Sequence, residues 1–137
     1  MKILSLRLAA FRRFSTPVAI ERFDAGLNVL AGPNEFGKST IFQALEAAFL
    51  LRHTTSGAVL EGMRPRSWGE PLVEVDFETL DGLWRIRKQF GRGKSAVLTD
   101  LKTKRAVALA ADAEDRLAAL TGVSIDGPGQ SAPGRMG

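Results

Sequence analysis

Gly32-Pro33-Asn34-Glu35-Phe36-Gly37-Lys38-Ser39-Thr40 is the stretch that decides how the rest of the chain is read. It fits the pattern G-x-x-x-x-G-K-[ST], with Gly32, Gly37, Lys38 and Ser39 at the required spacing. A nucleotide phosphate needs several backbone N–H donors converging on it. The loop must therefore curl with no Cβ in the way, which Gly37 permits. Lys38 then places an ammonium on the β/γ-phosphates, and the Ser39 hydroxyl takes a position on Mg²⁺. A helix that follows would point its positive end at the same anion.

The flanking residues supply the context such a loop requires. Leu27, Val29, Leu30 and Ala31 form an apolar run after Gly26, as a buried strand would. From about Lys38 to Arg52 the pattern predicts a helix, with Phe42, Leu45 and Phe49 at helical spacing and Ile41, Ala44 and Ala48 beside them. Gln43 and Glu46 are its main polar positions, so burial against a sheet is expected. Strand, glycine loop and buried helix follow in the order the chemistry demands.

Outward from this core the chain alternates. Ile3, Leu4, Leu6 and Leu8 predict a strand over Met1 to Leu8, and Pro17 opens a second over Val18 to Phe23. Between them stands Phe11-Arg12-Arg13-Phe14, read on its own as two aromatics anchoring a turn with both arginines in water. Residues 54–71 contain scattered glycine and proline and are expected to be irregular. Leu72 to Glu78 then alternates apolar with acidic, as a half-exposed antiparallel strand does. Asp81-Gly82 reads as a tight turn, and Leu83 to Lys88 and Ser95 to Leu101 as further strands. Val107 to Leu109 continues the meander. Asp112 caps a short helix whose Ala113, Leu117 and Leu120 share a face, ending at Gly122. His53 is expected to decorate a helix end and not to bind metal.

A chain of 137 residues is about one domain. Residues 1–125 are expected to form it, with 126–137 a glycine- and proline-rich tail that reads as a linker and a truncation point. The absence of cysteine excludes disulfides and thiolate metal sites. No apolar segment is long enough to span a membrane, and Met1-Lys2 leads directly into a strand pattern, so a cytoplasmic place, nucleoid-associated or not, is expected. A net charge of +4 is compatible with nucleotide or nucleic-acid partners without establishing either.

The first fifty or so residues resemble the opening of ABC-type ATPase heads of the RecF, structural-maintenance-of-chromosomes and double-strand-break-repair coiled-coil superfamily. The likeness rests on the N-terminal strand, the F-R-R-F segment and a phosphate loop with asparagine at its third position, Asn34. It implies an α/β fold: a P-loop NTPase, specifically the N-terminal lobe of such a head. An antiparallel β-meander would pack beside the P-loop strand and helix. It also implies ATP and Mg²⁺ as cofactors. Asn34, Gly37, Lys38, Ser39 and Thr40 would surround the phosphates, Arg12 would match the family arginine near them, and Arg66 and Ser67 would fall where a loop approaches the base. A second head in a homodimer, the remaining half of the head, a coiled coil and DNA in repair or recombination are the implied partners of the full-length protein.

The departures from that pattern limit what the chain is expected to do. The glutamine loop, the donated signature motif and a buried strand ending in Asp-Glu are missing. Val73 to Asp76 alternates with Glu74, Thr99-Asp100 reads as a turn, and Gln130 lies in a Gly-Pro-Gly setting. Gly91 to Lys94 mimics a second phosphate loop but sits between strands. ATP binding with little turnover is therefore expected. Two alternatives remain at this stage: a self-contained P-loop kinase, for which Arg64 and Arg66 are the only lid-like residues, and a non-catalytic module using nucleotide to fold or dimerise.

Overall fold

The structure, a computed structural model, describes residues 1–12, 18–20, 35–65 and 69–122, with backbone alone at 18, 20 and 35–39. Six antiparallel strands form one sheet in the order β2-β1-β3-β4-β5-β6. In chain order they are β1 (Lys2–Ala9), β2 (Val18–Ile20), β3 (Leu72–Thr79), β4 (Gly82–Gln89), β5 (Ser95–Asp100) and β6 (Arg105–Leu109). Three helices join them: α1 (Glu35–Leu50), α2 (Gly57–Met63) and α3 (Ala110–Thr121). The strand expected over Leu27 to Ala31 lies outside the described residues.

Alternation makes the sheet two-sided. Val73, Val75 and Phe77 of β3, Trp84, Ile86 and Lys88 of β4, and Ala96 and Leu98 of β5 are buried, and cross-strand register aligns them in rows. With Leu6 and Leu8 they form the floor on which α1 packs, mainly over β3; α3 covers β5 and β6. α1 contributes Ile41, Ala44, Leu45, Ala48 and Phe49, and the Phe49 ring meets Phe77 edge-on at 5.4 Å. Phe42, expected in that stripe, is 38% exposed instead. Only Phe42 and Gln43 are exposed along Thr40–Leu50; towards its C-terminal end the helix is buried all round, at Ala47, Ala48, Phe49 and Leu50.

On the opposite sheet face the polar positions interlock. Arg7 pairs with Glu74 and donates to Asp76 at 2.8 Å, and Asp76 also accepts from Arg85 Nε at 2.7 Å. Antiparallel register sets Glu74 opposite Arg87 and Asp76 opposite Arg85. Burial alone would raise the Asp76 carboxyl, but hydrogen bonding from Arg85 and the Arg7 charge outweigh it and hold it below the usual carboxylate range.

Three expectations need correction. Residues 54–71 are not irregular throughout, because Gly57–Met63 is helical and buries Leu60 and Met63. Its glycines read as breakers, yet Gly57 only starts the helix and Gly62 is tolerated near its end. His53 is not decoration: it is buried, as described below. The helix closing the meander has the expected buried face and C-terminal end but not the expected start. Ala113 and Leu117 are buried, Leu120 packs on the core, and Gly122 ends the helix at φ 73 with its N–H on Ala118 O. The helix starts earlier than read, at Ala110, so Asp112 sits in its first turn and not at its cap.

Candidate nucleotide site

The α1 helix begins at Glu35, inside the phosphate-loop pattern and three residues before the expected Lys38. Gly37 and Lys38 thus lie in its first turn, and Ser39 directly follows. The N–H groups of a first turn lack intrahelical acceptors and point out of the helix with a partial positive charge, which suits an anion. Thr40 follows at 3% exposure, and the helix beyond it is anchored by the core residues named above. A loop ending on such a helix is aimed by a rigid element. Gly32 and Asn34 lie outside the described residues, as do Arg66 and Ser67, so the structure says nothing of how these four meet the helix.

Arg12 is described, and its surroundings are specific. It follows Phe11, which is fully buried, and its backbone N–H donates to Met63 O at 2.8 Å. One guanidinium N–H donates to Gly62 O at 2.6 Å, so the arginine reaches the last turn of α2. Ala10 and Arg12 both have left-handed backbone, at φ 52 and 51. Such conformations cost a non-glycine residue on the order of 1 kcal/mol or more and persist only where the surroundings enforce them.

A second polar group lies beside the same end of α2. Arg64 pairs with Glu61 and with Glu70, the latter through one guanidinium nitrogen at 2.9 and 3.1 Å. The hydrogen bond to Glu70 raises the Arg64 pKa further above its ordinary value. Burial pushes the Glu70 carboxyl up, but the bonds from Arg64 and the Arg92 backbone N–H prevail and lower it. Arg64, one of the two lid-like residues, is thus engaged by two carboxylates.

The acidic strand candidates are also committed elsewhere. Asp76 stands in an antiparallel strand between β1 and β4 and is bound by Arg7 and Arg85. Asp100 closes a turn, with Oδ1 accepting from the Lys102 N–H at 2.8 Å. Gly91 to Lys94 is the β4–β5 connection, not a phosphate loop. Among the described residues no group of three or more His, Asp or Glu side chains could hold a metal ion.

Sequence reasoning missed a buried ionic cluster far from the loop pattern. Lys88 is fully buried, donates to Leu51 O at 2.6 Å and lies 3.2 Å from the Glu114 carboxylate. Glu114 also accepts the His53 backbone N–H at 3.0 Å and meets His53 Nδ1 at 2.6 Å. Burial drives the Lys88 pKa down to about 8, against the raising effect of Glu114. The signal was present: in the alternation of β4, Lys88 shares a face with Trp84 and Ile86.

Residues 5–58 match the family model described as an AAA domain. The matched stretch contains the F-R-R-F segment, the phosphate loop and α1, the features on which the resemblance to ABC-type ATPase heads rests, and that recognition agrees with the match. It supports a nucleotide-binding ATPase domain. The chain is also similar in structure to the SMC head domain from Thermotoga maritima, at 21% identity and a TM-score of 0.46, covering 79% of this chain. It spans 39% of that domain's length. No curated protein matches it. Among the described residues no helix is long and apolar enough to cross a membrane.

Proposed function

We propose that this chain is the ATP-binding N-terminal part of an ATPase head, incomplete for hydrolysis by itself. The observation carrying this reading is the start of α1 at Glu35, which puts Gly37 and Lys38 in the first turn, with Ser39 next, of a helix whose body is buried by the core. The donor set fits a nucleotide with its metal. Backbone N–H groups and Lys38 would hold phosphate oxygens, and the Ser39 hydroxyl is the hard oxygen ligand Mg²⁺ requires. Gly32, Asn34 and Thr40 would complete the cradle, Arg12 would add a cation beside the phosphates, and Arg66 and Ser67 would approach the base. When bound, Mg²⁺ would neutralise phosphate charge.

Hydrolysis additionally needs a group that orients the attacking water. Asp76 and Asp100, the two described acids weighed for that place, are occupied by arginines and by a turn, which supports binding without turnover. The domain is assigned to residues 1–125, with 126–137 as tail. In the longer protein we propose a second head, the remaining half of this one and DNA as partners, in a cytoplasmic repair or recombination role. Those assignments draw on the resemblance.

Calorimetric titration with ATP·Mg²⁺ tests the site. Lys38→Ala should weaken binding roughly tenfold or more, as loss of a charge-assisted contact does, with an unchanged circular dichroism spectrum. Equal affinity for the variant would make the loop a structural turn. Phosphate release measured alongside should stay near background. Robust turnover by the monomer would overturn the incomplete-site reading.

A further inference from the structure

The backbone around Arg12 is held in a specific way. Ala10, Phe11 and Arg12 make a kink in which two non-glycine residues are left-handed around a buried phenylalanine. Neither alanine nor arginine prefers that backbone, so neighbouring structure must impose it. Two contacts do so. On one side the last turn of α2 takes both the Arg12 N–H, through Met63 O, and the guanidinium, through Gly62 O. On the other side lies Gly69, at φ 122. A Cβ at Gly69 would stand 2.7 Å from the Ala10 Cβ, closer than two carbons can approach. The kink is therefore gripped between α2 and a backbone position that only glycine fills.

We infer that Gly69 and the last turn of α2 are positioning elements that set Arg12 for the nucleotide phosphates. The inference rests on the reading of Arg12 as a phosphate-side residue. The guanidinium has five N–H donors in a fixed fork. One goes to Gly62 O, which fixes the plane of the group while leaving other donors for an anion. Gly69 itself touches no ligand in this scheme. It acts through Ala10, by letting the chain pass close enough for the left-handed kink to form.

The test is a double-mutant cycle on ATP·Mg²⁺ affinity in the whole chain, with thermal unfolding of each variant recorded in parallel. Arg12→Ala and Gly69→Ala should each weaken binding about tenfold, and the double variant should be no weaker than Arg12→Ala alone, since both remove the same contact. Ala10→Gly provides a variant that threatens the fold less. It removes the Cβ facing Gly69 and lets a glycine take the left-handed backbone without its cost, so it should bind as the parent does and, combined with Gly69→Ala, recover part of the lost affinity. Should Gly69→Ala not fold alone, the combined variant carries the test. An unchanged affinity for Arg12→Ala would overturn the phosphate reading of Arg12 and this inference with it. Weakened Arg12→Ala beside a folded, unaffected Gly69→Ala, or losses that add in full, would overturn the positioning role alone.

Discussion

Two ionic groups share this sheet, one on each face, and they obey different rules. On the open face Arg7, Glu74, Asp76, Arg85 and Arg87 form a lattice of partly exposed pairs; the Arg85 and Asp76 side chains are 37% and 14% accessible. On the covered face Lys88 and Glu114 are 0% and 1% accessible and close on each other and on His53. Water screens the first group and reaches almost none of the second. The same charges are thus nearly interchangeable decoration on one side and a fixed structural requirement on the other. The difference teaches that burial, not the number of ion pairs, sets the energetic weight.

The largest expected effect comes from breaking the buried pair. Glu114→Ala strips the buried Lys88 of its carboxylate partner and removes the acceptor of the His53 N–H, and should destabilise by about 3–5 kcal/mol in urea titrations. A loss near that of a surface substitution would contradict the covered-face description. Replacing both members, as Lys88→Met with Glu114→Leu, should recover part of this. The residual cost, about 1–3 kcal/mol, is that of the orphaned His53 amide. A double variant worse than the single one would mean that the pair contributes net stability.

Acid and alkali should separate the two faces. Lys88 has a folded pKa of about 8 against an ordinary 10.5, so between those values the unfolded chain holds more protons. Stability attributable to Lys88 therefore rises with pH across that window, by roughly 3 kcal/mol at most, and the rise should be absent from Lys88→Met. Asp76 runs the other way. Its folded pKa is depressed from 3.8, so its contribution is present above that value and is lost as pH falls through the lower folded one. Comparing Asp76→Asn with the parent below pH about 4 checks the sign.

The smallest effect belongs to the open face at neutral pH. Arg85→Ala should cost about 0.2–1 kcal/mol, and raising NaCl from about 0.1 to 1 M should shrink the difference while leaving that of Glu114→Ala nearly intact. A salt-insensitive Arg85 effect would place that face out of contact with solvent.

Much of this architecture was legible because short-range pattern dictates it. Leu72 to Glu78 alternates with period two, and its odd-numbered side chains are the buried ones. Gly122 stops α3 in a left-handed cap because a helix end favours it. What stayed hidden depends on partners distant in sequence. Lys88 could be assigned to the apolar face, but Glu114 is needed to make it tolerable there, and no local pattern links the two. His53 looked like a surface residue for the same reason. Phe42 looked like core because helical spacing cannot say how wide a stripe the sheet will cover. α2 was missed because glycines at its ends outweighed Leu60 and Met63. The loop pattern names the residues proposed for nucleotide, while the contacts of α2 and Gly69 with the Ala10–Arg12 kink emerged only with the fold.

The strand order carries one more consequence, for how the molecule assembles. β3 through β6 pair with their sequence neighbours through short turns, and α3 follows directly, so residues 72–121 close through local contacts. β1 joins this unit only by pairing with β3 across residues 10–71. Closing that long excursion is the costly, late step in the order of contact formation. The whole phosphate-loop stretch lies within the excursion. Nucleotide bound there would stabilise the last part to form, by mass action, and slow the opening of β1 from β3. In this topology a ligand at Lys38 would also act as the lock on the N-terminal strand.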